Sequence, residues 1–292
     1  MKRRAVAVGL FDGIHGGHIR ILNKALSGLK DDMEPAVFTF VTESLKTKHG
    51  KPFEYIYPES VKEEALHRLG FEYIEAAAFD EVRNTDGEAF AGNILAGKMN
   101  AALVVCGENF RFGRNASCGA EDLRSFGKKF GFEVDIAELD RNGGSIPISS
   151  ECIRQCLKEG RLDGLSDFGF DYTITAVVAE GNRIGRTLNF PTINQHFREG
   201  QLVPKYGVYR SVTRLDGIVY NSVTDIGVKP TVENSIKPLA ETHILDYSGN
   251  LYGKTIAVTL LEFIREEKKF SSVEELRKQI ADDIEYSRKR ID

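Results

Sequence analysis

The chain has 292 residues, 41% of them apolar and 28% charged, a balance that suits globular domains with real cores and excludes a disordered or fibrous protein. A formal charge of -4 argues against a broad nucleic-acid or anionic-membrane surface and leaves room for a local anion site. The four cysteines, Cys106, Cys118, Cys152 and Cys156, have no CxxC spacing, so reduced thiols in a cytoplasmic protein are expected.

The start, MKRRAVAVGLF, superficially resembles a secretory leader, but its apolar run is short, Asp12 interrupts it and no small-residue cleavage site follows. No stretch approaches the roughly eighteen apolar residues of a membrane span. To about residue 160, β-rich runs (AVAVGLF, PAVFTFV, YIEAAAF, ALVVC, FEVDIAEL) alternate with amphipathic ones. Ile19, Leu22, Leu26 and Leu29 share a helical face, and ESVKEEALHRLG and DGEAFAGNILAGKMN also read as helices. This alternation predicts a parallel sheet covered on both faces, with ligands at the carboxyl ends of its strands.

Near 160–170 the style changes to YTITAVVAE, GVYRSVTRL, IVYNSVTDIG, ETHILDY and TIAVTLLEFI, with Asp216-Gly217 as a two-residue hairpin signal. An antiparallel barrel or sandwich is expected. A final helix carries a capping box at Ser272-x-x-Glu275 and an apolar stripe of Val273, Leu276, Ile280 and Ile284. The expected domains are 1–163 and 164–292.

GLFDGIHGGHIR places His15 and His18 at a strand-to-helix corner, with glycines between them. A helix start offers unsatisfied N–H groups and partial positive charge, and glycine lets a phosphate come close. The alternative is a glycine-rich turn with incidental histidines. Asn109 follows a later apolar strand, and Ser149 and Ser150 open another helix with Arg154 one turn inward, a set that fits phosphate oxygens or, for the serines, plain capping. GRTLNFPTIN holds Pro191, Thr192 and Asn194: either oxygen donors for Mg²⁺ or a proline-bent edge strand with a polar turn. GNILAGKM nearly spells a Walker A loop, yet Met99 replaces the metal-binding hydroxyl and the setting reads helical.

FDGIHGGH, GENFRFG and ISSxxIRxxLxxG, in that order, resemble the adenylyltransferase domain of bacterial bifunctional riboflavin kinase/FAD synthetases, a Rossmann-like α/β domain of the HxGH nucleotidyltransferases. GRTLNFPTIN, YGVY, DIGVKPT, ETHILDYSGNLYGK and EFIREEKKFSSVEEL resemble the riboflavin kinase domain, a six-stranded antiparallel barrel with a C-terminal helix. The resemblance implies riboflavin, FMN and ATP as substrates, with Mg²⁺ and with no nucleic-acid or membrane partner; it leaves the oligomeric state open. It implies that His15, His18 and Arg154 act on the ATP phosphates, joined by Gly9, Phe11, Asp12, Gly17, Asn109, Ser149 and Ser150. In the second domain it implies Glu241 as general base, Thr192 and Asn194 at the metal, and Gly181, Arg183, Gly185, Arg186 and Pro191 at the nucleotide, with Arg265 near the flavin. The chain departs from the family pattern at Gly16, Glu151, Asn189, Ile193 and Asp225, and lacks its His-Pro pair after the second strand. Those departures leave two alternatives to a bifunctional enzyme: a riboflavin kinase with weak or lost adenylyltransferase activity, or a non-catalytic flavin-binding protein.

Overall fold

The apolar run ahead of the histidine pair forms β1, Arg3–Val8, whose first residues are the two arginines of the chain start. A computed structural model describes residues 2–45, 53–138, 149–180, 190–230 and 236–289. By contacts the chain divides into two units, Met1–Ser150 and Glu151–Asp292. The helix α4, Ser150–Glu159, therefore counts with the second unit beyond its first residue, where the sequence placed it in the first domain.

In the first unit β1 is followed by α1 (Gly16–Ser27), β2 (Met33–Phe40), α2 (Glu59–Arg68), β3 (Tyr73–Ala77), β4 (Ala101–Gly107), α3 (Ala120–Phe130) and β5 (Glu133–Ala137). The five strands pair in parallel in the order β3-β2-β1-β4-β5. Period-two alternation sorts their side chains. Val6, Val8, Phe38 and Val104 pack on one face with Leu95 and Leu123, whereas Ala5, Ala7, Val37 and Val105 pack on the other with Leu22, Ala25 and Leu66. Leu22 and Leu66 come from α1 and α2 on one face and Leu123 comes from α3 on the other, so the sheet is covered on both faces, as its near-continuous apolar strands require. The Walker-like GNILAGKM lies in a π-helical segment, Phe90–Lys98, with Met99 fully buried behind it. No phosphate loop forms there.

The second unit contains β6 (Thr173–Val177), β7 (Ile193–His196), β8 (Gly207–Leu215), β9 (Ile218–Pro230), β10 (Ile236–Ile244), β11 (Thr255–Arg265) and the helix α5 (Val273–Lys289). The strands pair antiparallel in the order β6-β11-β8-β9-β10-β7. A bridge between Ala179 and Asn194 brings the two ends together, and the barrel is nearly closed. Its interior mixes Ile174, Ile256 and Val258 with hydroxyls: Ser211 bonds Thr224 at 2.8 Å, and Thr224 bonds Thr242 at 2.9 Å. Gln195, wholly buried, donates its amide to the carbonyls of Ala176 (3.0 Å) and Ile256 (2.8 Å), pinning the closing strand from inside. The Asp216-Gly217 hairpin forms as expected between β8 and β9.

On α5, Ile284 packs beside Val208, Val223 and Leu245, but Val273 is 53% exposed and does not belong to the stripe. The helix instead buries Asp283 and Ser287. Its cap is also broader than Ser272 alone: Ser272 accepts from the Glu275 N–H, while the Glu275 carboxylate receives the N–H and hydroxyl of Ser271. Among the described residues no helix is long and apolar enough to cross a membrane.

Candidate functional site

β1 delivers the chain to the carboxyl edge of the first sheet, where residues 9–15 turn into α1. That turn is strained: Phe11 has a φ of 53° and Ile14 a φ of 38°, a region that β-branched side chains rarely enter. His15 is the N-cap of α1 and His18 follows within the first turn, so the rings stack 3.9 Å apart at 24°. Burial, with the His15 ring as the second cause, pulls His18 well below its ordinary 6.5. At neutral pH that ring is uncharged, and its Nδ1 has no hydrogen-bond partner among the described residues. No acidic residue lies in the first turn of α1, so the helix N–H groups and the two rings present donors to an anion.

Gly9, Phe11 and Asp12 build this turn instead of reaching into it. Phe11 is completely buried and sets its ring edge 5.3 Å from His18. Gly9 makes room for that ring, since a Cβ there would meet it at 2.9 Å. Asp12 is 1% exposed, and its carboxylate accepts the N–H groups of Ile56 and Tyr57. The carboxylate is thus engaged in holding the turn. Asn109 is exposed just beyond the end of β4, and the Ser150 hydroxyl donates to the Asp12 carbonyl at 2.8 Å. Arg154 is held by Glu151, the residue that departs from the family pattern, at 3.0 Å.

In the barrel, Glu241 and Asn194 are direct partners across β10 and β7, and Asp225 is the partner of Glu241 on its other side. Alternation puts all three on the outer face, because their neighbours Thr242, Ala240 and Thr224 fill the interior. Asn194 is 6% exposed, and its Oδ1 has no partner among the described residues. His243, two residues past Glu241 on the same face, bonds the Pro191 carbonyl at 2.8 Å and meets the Phe190 ring edge-on. This contact seats the FPTIN stretch beside Glu241, with Thr192 immediately before β7. Gly227, also on this face, leaves space for Glu267, whose carboxylate a Cβ would strike. Arg265 gives its Nε and Nη2 to Asp283 and its Nη1 to the Glu266 carbonyl, so its guanidinium is committed to α5. Gly181, Arg183, Gly185 and Arg186 lie outside the described residues, as does Asn189.

The family model for FAD synthetase matches residues 1–151, and that for riboflavin kinase matches residues 168–291. The chain belongs to the bifunctional riboflavin kinase/FMN adenylyltransferase family. The Listeria monocytogenes protein of that name is 30% identical over 98% of this chain and 91% of its own length. The Escherichia coli K12 protein of the same name is 31% identical over 95% of this chain and 90% of its own. A crystal structure from Streptococcus pneumoniae, described as a macrolide-efflux protein, superposes with a TM-score of 0.81 at 30% identity, covering 99% of this chain and 95% of that one.

Within this family frame the structure gathers Glu241, Asn194, Pro191 and His243 on one barrel face, and His15 with His18 at one helix start. Sequence reasoning missed Lys62, 1% exposed in α2 and bonded to the carbonyl of Phe40. A signal was present: Lys62, Leu66 and Leu69 fall at helical spacing on one face, and a lysine on an apolar stripe marks a buried partner.

Proposed function

We propose that the two units divide two reactions. The chain phosphorylates riboflavin with ATP to give FMN, and adenylylates FMN with a second ATP to give FAD and pyrophosphate. The pairing of Glu241 with Asn194 on one outer face of the barrel carries the assignment of the first step. Glu241 orients the riboflavin 5′-hydroxyl toward the γ-phosphorus of ATP and accepts its proton late, as the O–P bond forms and ADP departs. His243 holds Pro191 and thereby Thr192 and Asn194 against the same face.

The buried Oδ1 of Asn194, which has no hydrogen-bond partner among the described residues, and the Thr192 hydroxyl are hard oxygen donors that fit a magnesium ion. When bound, such an ion neutralises charge on the ATP phosphates.

In the second step an FMN phosphate oxygen attacks the α-phosphorus and pyrophosphate leaves. The substrate is its own nucleophile, so the protein's work is to position the groups and to stabilise charge. The His15 and His18 rings and the α1 N–H groups donate to the phosphate chain, with Asn109, Ser149 and Ser150 beside it. The separation into domains at 163/164 follows the change in sequence style, and the reduced thiols fit a cytoplasmic setting.

A second reading, a kinase with diminished adenylylation, is favoured by one observation: Glu151 holds Arg154, a proposed phosphate ligand. One assay separates the readings. The purified protein is incubated with riboflavin and Mg²⁺–ATP and the flavins are resolved chromatographically. FAD supports both activities, FMN alone supports the kinase, and bound but unconverted riboflavin would overturn both.

A further inference from the structure

We propose that Asp12 and Lys62 are positioning residues for FMN adenylylation, forming a buried polar brace that holds the strained turn and so aims the two histidine rings. The inference rests on the reading of His15 and His18 given above. Both brace residues are 1% exposed, so they act through the turn and not on substrate.

The brace has two arms. On one, the Asp12 carboxylate accepts the Ile56 N–H at 2.8 Å and the Tyr57 N–H at 3.3 Å, tying the middle of the turn to the segment that leads into α2. On the other, Thr39 donates its hydroxyl to the Leu10 carbonyl at 3.0 Å, and the Lys62 ammonium lies 3.4 Å from that same hydroxyl. Lys62 also donates to the Phe40 carbonyl at 2.6 Å and pairs with Glu59 at 3.0 Å. Glu59 in turn receives the N–H and hydroxyl of Thr42, at 2.6 and 2.8 Å. The carboxyl end of β2, the start of α2 and the turn after β1 thus form one hydrogen-bonded block.

Two arguments make this block more than packing. Residues such as Phe11 and Ile14, held at positive φ, cost about 1–3 kcal/mol each and persist only where their surroundings over-determine them. An apolar pair of similar volume is often at least as stabilising as a buried charge pair, so stability alone does not call for a lysine at this depth. What the polar arms add is direction: the Thr39–Leu10 and Lys62–Phe40 bonds lie at the carboxyl edge of β1 and β2, the ligand side of a parallel sheet, and the Asp12 bonds tie the turn to Ile56 and Tyr57. A shift of the turn by about 1 Å would misplace both rings, an error worth on the order of a hundredfold in rate.

The test uses the full chain, whose own kinase reaction is the internal control. Asp12→Ala, Lys62→Met and Thr39→Val are each assayed for FAD from supplied FMN, for FMN from riboflavin, and for thermal unfolding. The expected result is a fall of about tenfold or more in kcat for FAD formation, a KM for ATP within about threefold, and FMN formation within about twofold. FAD formation within about twofold of the parent, a loss carried wholly by KM, or parallel loss of both activities with a lowered unfolding midpoint would each overturn the brace. Should Asp12→Ala or Lys62→Met fail to fold, Thr39→Val decides, since it removes one hydroxyl at constant shape. His15→Ala separates the two levels of inference. If it retains FAD formation, the histidine reading fails; if it loses FAD formation and the brace variants do not, the brace alone fails.

Discussion

Glu241 and Asn194 face each other as direct partners across β10 and β7, so a carboxylate and a buried amide oxygen share one barrel face. Glu241→Gln keeps the shape and removes the base. FMN formation is expected to fall by about a hundredfold or more, while FAD formation from supplied FMN persists. Separate assays of the two steps check this, and unchanged FMN formation would remove Glu241 from the role of base.

Glu151 restrains Arg154 across one helical turn, and its own side chain is 80% exposed. Exposed pairs of this kind are worth about 0.2–1 kcal/mol. Glu151→Ser is therefore expected to loosen the hold on the guanidinium and to lower the KM for ATP in FAD formation by up to about fivefold. A rise in that KM would show that the ion pair helps to position Arg154.

His18 is held neutral by burial and by His15. Its depressed pKa means that the unfolded chain takes up a proton near 6.5 that the folded chain refuses. Its contribution is fully present above that pH and is lost as pH falls below it toward the lowered folded value. The unfolding midpoint of the first unit should drop as pH is taken from 7.5 to 5.5, and His18→Asn should flatten that slope. Calorimetry across the pH series measures it, and parallel slopes would count against a neutral, desolvated ring.

Gln195 donates to two carbonyls on two other strands. Gln195→Leu removes both bonds while the strand ladder still serves the two carbonyls, with an expected loss of about 0.5–1.5 kcal/mol per hydrogen bond. Denaturant unfolding followed alongside FMN formation reads the effect, and an unchanged midpoint would mean that other donors replace the amide.

Much of the architecture was legible without coordinates. Apolar runs in continuous blocks signalled the covered parallel sheet, and hairpin signals such as Asp216-Gly217 signalled the antiparallel barrel, because these patterns reflect local periodicity and turn chemistry. The His15–His18 stack was legible for the same reason, since three residues on a helix fix which side both rings take. Val273 was misread because periodicity marks a face but not where the partner surface ends.

Other features were settled only by tertiary contact. Sequence spacing cannot show that Asp12 binds the N–H groups of Ile56 and Tyr57, that His243 holds Pro191, or that Arg265 is committed to Asp283. Each of these joins residues far apart in the chain, and the choice of partner depends on how strands register and helices dock. The sequence by itself determined the family, the two kinds of sheet and the chemistry available. The tertiary structure decided which polar groups face a ligand and which are occupied in holding the frame, because a buried polar side chain must find a partner and only the fold says which one.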